Sequence, residues 1–317
     1  DALPKNREVW NLLDGETPEV QKEYWETCYS FFFQIPLDDL IFGISKLLEA
    51  DRYFDAIQCI SLNLKEIELP VEIMLNVIHQ TGISNKDKSR YSRLDQYNLE
   101  RIFETVYKSE IKDESLTEKI EWLYSDILLR YGSKIRPKRI FSRLATEPDF
   151  FAEIVSYAFK PNSFKEGDIV DYGSLTEQEY LNRAKKTYSI LNKWNTCPGQ
   201  SENGEIDAEI FMQWHDQVLV NLEALDRVRT GHYIIGAMLG NTYKSSNNQL
   251  PESVCEIVER LSNEVVDRNI GAAIFNRGGV TVRAVDAGGS IERGIASGFQ
   301  KLIDDTDIEY PRVASIY

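Results

Sequence analysis

The sequence predicts an all-α protein, an irregular and solenoid-like array of helical hairpins in two helical subdomains, residues 1–160 and 175–317. Three observations carry that reading. Apolar residues recur at i, i+3, i+4 and i+7 through most of the chain. Caps and prolines precede these runs, and glycines or prolines follow them. Strand-like alternation is confined to "GGVTVRAV" (278–285), too little for a sheet.

Thr17, Pro18 and Glu19 supply an N-cap, a first-turn proline and an early acid for a helix through "VQKEYWETCYSFFF" (20–33), which Pro36 closes. Residues 37–63 carry Leu40, Ile44, Leu47 and Leu48 on one face, break near Asp51, and resume with Phe54, Ile57 and Ile60. That is the pattern of an antiparallel helix pair. A helix over 69–82 follows, with Pro70 near its start and Gly82 as its C-terminal cap. The most regular run, 115–132, aligns Leu116, Ile120, Leu123, Tyr124, Ile127, Leu128 and Tyr131 in one stripe. A Ser115/Glu118 capping box opens it and Gly132 ends it. From residue 18 to 132 the helix pairs recur at roughly 25 to 35 residues, the spacing of helical-hairpin repeats.

Residues 149–159 read as a short, nearly all-apolar helix central to the core. A Thr176/Glu179 capping box with a Leu175/Tyr180 staple opens the helix of 175–196. Three further helices are expected near 206–229, 251–268 and 289–304. The polar stretch 160–174 marks the subdomain boundary, and 195–205 reads as a second loop.

Charge narrows the function. With 36 Lys plus Arg against 51 Asp plus Glu the chain carries −15, a field that repels nucleic-acid phosphates and anionic lipid heads. Nucleic acid is therefore not an expected partner. No apolar run approaches the roughly 20 residues that span a bilayer, so no membrane segment is expected either. The opening "DALPKNREVW" has neither an initiator Met nor signal-peptide order, which predicts a piece of a longer cytoplasmic protein. Cys28, Cys59, Cys197 and Cys255 form no CxxC and approach no His at ligand spacing, so they read as free thiols, the first two as buried small hydrophobes.

No constellation points to catalysis, a metal or a cofactor. His79, His215 and His232 belong to no HExxH. His215 beside Asp216 reads as a partly exposed helix surface, and His232 as a satisfied histidine at a helix start. Two candidate contact sites remain. In "FNRGGVTVRAVDAGGSIERG" (275–294), the amides around Gly278, Gly279, Gly288 and Gly289 could form an anion nest, with Asn276, Arg277, Arg283 and Arg293 beside it. The favoured reading is structural. The glycines make two bends, Arg283 folds back towards Glu292, and Gly294 with Gly298 permits close helix packing. The second candidate is the basic run "SKIRPKRIFSR" (133–143), where Lys134, Arg136, Lys138 and Arg139 form a patch or, more simply, a solvated turn stiffened by Pro137.

Several stretches, "LDDLIFGISKLLEADRYFDAIQCISL", "KIEWLYSDILLRYGSKIRPKRIFSRLATEPDFFAEIVSYAFKP", the glycine segment and "EYPRVASIY", together resemble the C-terminal helical region of very long bacterial proteins. Phe275, Asn276, Gly279, Val280, Arg283, Gly288, Gly289, Glu292 and Arg293 match that family's glycine motif, while Gly278 stands where it has a basic residue. Phe275 replaces a tyrosine. The resemblance implies a C-terminal module, loosely associated with defence or nucleotide-switch proteins, and no catalytic residues.

These readings predict a non-catalytic scaffold or sensing module that binds a protein partner or other domains of its parent chain. The alternative is a helical enzyme or small-ligand domain with an anion site at residues 275–293.

Overall fold

Residues 6–30, 32, 34–84, 96–109, 113–130, 132–242, 249–277, 290–306 and 308–317 are described by the structure, a computed structural model. The fold is all-α. Sixteen α-helices and one 3-10 turn (Asn11–Gly15) make up the regular structure of the described residues, with a single isolated bridge between Gln200 and Ile206. None of these helices is long and apolar enough to cross a membrane. "GGVTVRAV" lies outside the described residues.

Two compact units divide the chain, Asp1–Ile140 and Phe141–Tyr317. The division falls within a helix, Lys138–Thr146, and the expected boundary at 160–174 lies inside the second unit. Packing explains the difference: the helix Pro148–Ala158 buries its apolar residues against helices that follow residue 174, so it belongs with them.

Unit 1 contains α1 (Arg7–Trp10), α2 (Pro18–Thr27), α3 (Leu37–Glu49), α4 (Tyr53–Asn63), α5 (Val71–Ile83), α6 (Gln96–Lys108) and α7 (Glu114–Leu128). Thr17 caps α2 as its sequence predicts, accepting from the Val20 amide. The helix then stops at Thr27, well short of Pro36. Side chains from the next hairpin take over its backbone acceptors: Arg52 donates to the Trp25 and Cys28 carbonyls at 3.2 and 2.6 Å, and Asn63 donates to the Phe32 carbonyl at 2.6 Å. Released from the helix, Phe32 reaches the core. Its ring occupies the space left by Gly43, where a Cβ would come within 2.6 Å of it.

The α3–α4 break falls at Asp51, whose φ is 58°, and α4 packs on α3, α5 and α6 while α5 packs on α7. One cap differs from expectation. Asp113, not Ser115, starts α7 by accepting from the Leu116 amide, and Glu118 accepts instead from the Trp122 indole at 3.3 Å. The carboxylate is the stronger acceptor at a helix N-terminus because the local dipole favours negative charge.

Unit 2 continues with α8 (Lys138–Thr146), α9 (Pro148–Ala158), α10 (Glu177–Lys193), α11 (Ala208–Ala224), α12 (Val228–Gly240), α13 (Glu252–Leu261), α14 (Glu264–Arg277), α15 (Ser290–Thr306) and α16 (Pro311–Ala314). The central position of α9 is as expected, since it packs on α10, α11 and α12. Phe151 lies 5.4 Å from the Trp194 ring and 5.1 Å from that of Trp214. The Thr176/Glu179 capping box forms in full. The single helix expected over 251–268 is instead two, because Ser262 turns left-handed at φ 46° and Asn263 caps the next helix by accepting from the Val265 and Val266 amides.

The tightest helix pair is α12 with α14. A Cβ on Gly236 would lie 2.5 Å from the Val266 carbonyl oxygen, and one on Gly240 would lie 2.6 Å from the Ala273 Cβ. Only glycine lets these backbones approach so closely. At the expected small-residue pair, Gly294 and Gly298, no described residue lies within 4 Å of a Cβ. The spacing of four recurs in "GAMLG", and it is there that two helices meet.

Candidate functional site

The basic run of 133–143 contributes mainly to the fold of unit 1. Its organiser is Glu121, which the amphipathic stripe of α7 does not mark as special and which is fully buried. The carboxylate accepts from the Tyr107 hydroxyl at 2.6 Å, the Arg139 amide at 3.0 Å and the Ile140 amide at 2.9 Å. It thereby satisfies two of the orphan donors at the start of α8. Burial pushes Glu121 up to about 7 despite these three donors, and the Glu118 carboxylate adds to the rise. The Tyr107 hydroxyl is pushed far up as well, by burial first and then by the neighbouring Glu121 charge.

The four candidate cations sort accordingly. Arg136 donates to the Leu128, Ser133 and Ile135 carbonyls at 3.2, 2.7 and 2.9 Å. Arg139 pairs with Glu114. Lys138 sits 5.0 Å above the Tyr107 ring. Lys134 is exposed, and its amide donates to Glu100 at 3.3 Å. Arg136 and Arg139 thus close loops and pair charges within unit 1.

His215 also departs from its expected role. His215 is 6% exposed, not a surface residue, and its ring stacks between Phe211 and His232, with the two imidazole centroids 5.8 Å apart. Asn263 Nδ2 lies 3.4 Å from Nδ1 of His232. Burial depresses the basicity of both rings; Asp216 partly opposes this at His215, whereas the His215 charge adds to it at His232. Among the described residues no three His, Cys, Asp or Glu side chains converge as metal ligands would.

A pH dependence follows. A base whose affinity for protons is lower when folded contributes stability that is present above its ordinary value, 6.5, and lost as pH falls. Unit 2 is therefore expected to weaken from pH 6.5 to 5 in urea unfolding, and His215→Phe, which stays apolar beside Phe211, should flatten that slope. An unchanged slope in the variant would remove the imidazole pair as its cause.

Of the glycine segment, residues 278–289, including Arg283, lie outside the described residues, and with them the expected Arg283–Glu292 contact. Asn276 is exposed near the end of α14, which runs to Arg277. Arg293 is exposed on α15.

The structure adds a site that no local motif signals. An open groove of about 520 Å³ on unit 2 is lined by Asn162, Arg229, Thr230, Tyr233, Arg268 and Asn269. Phe159 and Val265 supply its apolar wall. Asn162 ties the loop after α9 to the start of α12: its Oδ1 accepts from the Arg229 amide at 3.2 Å and its Nδ2 donates to the Thr230 hydroxyl at 2.9 Å. Asp226 reinforces the tie by accepting from the Asn162 and Ser163 amides. Beyond Phe159, Tyr188 makes an edge contact with its ring at 5.7 Å. Tyr188 and Tyr233 are each 46% exposed.

Elsewhere on unit 2 three arginines pair with carboxylates, Arg143 with Glu147, Arg260 with Glu209 and Arg312 with Asp267, while Arg183 lies over the Tyr157 ring and Arg227 donates to the Phe159 carbonyl. Arg229 and Arg268 are exposed and pair with none among the described residues. In a chain with 15 more acids than bases, two unpaired guanidiniums on one groove make it locally cationic. No family model, curated protein or solved structure matches this chain.

Proposed function

We propose that the chain is a non-catalytic helical interaction module that presents the groove face of unit 2 to a protein partner or to other domains of a longer chain. One observation carries this reading: Phe159 and Tyr233 share a groove with the unpaired Arg229 and Arg268, and the exposed Tyr188 packs edge-on against Phe159. Tyrosine and arginine dominate the energetic centres of protein interfaces, because they combine large apolar area with directed polar groups. Each exposed ring has little conformational entropy to lose on binding.

The test is comparative capture with the whole chain as bait, followed by reconstitution from purified components. The expected result is a discrete partner that Tyr188→Ala/Tyr233→Ala loses and Lys134→Ala retains, with both variants melting like the parent. Capture that survives the tyrosine changes would overturn the assignment of this face.

A further inference from the structure

Resting on that reading of the face, we infer that the groove selects a phosphorylated side chain on an acidic peptide segment, held by Arg229 and Arg268. The two arginines come from different helices, α12 and α14, whose separation is fixed by backbone contact at Gly236 and Gly240. Gly236 packs beside Asn269, itself a groove residue, since a Cβ at 236 would meet the Asn269 Cβ at 2.9 Å. The backbones that carry the two guanidiniums are therefore held on a rigid pair of helices.

The remaining polar groups point to the same ligand. The Thr230 oxygen already accepts from Asn162, which leaves its O–H to donate. Asn269 uses one Nδ2 hydrogen on the Val265 carbonyl at 2.7 Å, which leaves the other to donate and its Oδ1 to accept. With two guanidiniums, the Thr230 hydroxyl and the Tyr233 hydroxyl, the groove is rich in donors and asks for a ligand rich in acceptors. A phosphate monoester offers three acceptor oxygens and close to two negative charges, whereas a carboxylate offers two oxygens and one charge. Arginine clusters recognise such groups through paired N–H donors. At about 520 Å³ the groove is several times larger than a phosphate group, and it is open, so the phosphate arrives on a carrier chain. Phe159 and Val265 receive the apolar part of that carrier. A short segment keeps its charge over the groove, where carboxylates flanking the phosphate add attraction to the two arginines, while a long polyanion such as RNA would run onto the acidic remainder of the surface.

The probe is a fluorescein-labelled peptide, Asp-Glu-phosphoserine-Glu-Asp, titrated into the full chain beside its unphosphorylated twin and a single-stranded oligonucleotide. Saturable binding is expected, weaker by about tenfold or more for the twin, and weaker by about tenfold in each of Arg229→Ala and Arg268→Ala, the scale of one charge-assisted contact. Neither substitution should lower the melting temperature, and Arg268→Lys should restore only part of the loss because a lysine has no paired donors. Equal affinity for the two peptides, indifference to both arginine changes, or preference for the oligonucleotide would overturn the inference. If the phosphopeptide fails while Tyr188→Ala/Tyr233→Ala still abolishes partner capture, the face stands and its phosphate selectivity falls. If both fail, the face itself is misassigned.

Discussion

Replacing Gly240 with valine is expected to destabilise unit 2 by about 1–3 kcal/mol, and the Gly236→Val/Gly240→Val double change by enough to disrupt it. The cause is steric and local. A Cβ at 240 would lie 2.6 Å from the Ala273 Cβ and 2.9 Å from the Ile270 carbonyl oxygen; at 236 the Val266 carbonyl oxygen would be 2.5 Å away. Carbonyl oxygens within a helix cannot swing aside as a side-chain tip can, so α12 and α14 must separate along their most intimate contact. Even alanine at 236 meets this obstacle. Each kcal/mol lowers the melting temperature by about 2–4 °C for a unit of this size. The control is Gly294→Val or Gly298→Val on α15, where a Cβ meets no described residue within 4 Å and the better helix propensity of valine makes the change neutral or slightly favourable. Thermal melting of the four variants distinguishes the cases. Equal effects at 240 and 294 would mean that the close approach does not hold the pair together.

Glu121→Ala should be among the damaging single truncations in unit 1. It removes the acceptor of the buried Ile140 amide, the Arg139 amide and the Tyr107 hydroxyl at once. A buried donor left without a partner costs about 1–3 kcal/mol, so a loss of about 2–5 kcal/mol in urea unfolding is expected, with α8 fraying at its start. Glu121 also sets a pH signature. Its folded value, raised by burial to about 7, exceeds the ordinary 4.5, so the folded state holds the proton more tightly. The associated stability is fully present below pH 4.5 and is lost as pH rises through about 7. Glu121→Gln should abolish this slope. The sign is opposite to that of the imidazole pair in unit 2: as pH falls from 6.5 to 5, unit 1 gains from Glu121 while unit 2 loses from His215 and His232. Urea unfolding followed by a probe in each unit would separate the two trends, and parallel trends would refute the assignment.

What the sequence discloses follows the range of the interactions. The Thr176/Glu179 box is local, with donor and acceptor three residues apart, and it forms as read. The apolar stripe of α7 likewise lands in the core at Ile120, Tyr124, Ile127 and Leu128. Glu121, next to Ile120, is invisible to the same reasoning because its partners lie 14 to 19 residues away. The early end of α2 depends on Arg52 and Asn63 reaching back 24 to 31 residues. Ser262 and Asn263 could have been read as a helix boundary, since Asn is a strong N-cap, but the apolar periodicity running across them conceals it. The groove is the extreme case. Its residues come from three segments, near 160, 230 and 268, and none carries a motif; its chemistry exists only once Gly236 and Gly240 bring α12 to α14.

The central claim, that the arginine–tyrosine face of unit 2 is where this module meets its partner, is tested most directly by photocrosslinking in cells from a benzoylphenylalanine placed at Tyr233 and, separately, at Lys134. The account predicts a discrete crosslinked species from 233, diminished by Arg229→Ala/Arg268→Ala, and none from 134. A discrete species from 134 with none from 233 would contradict it, returning the binding role to the basic turn.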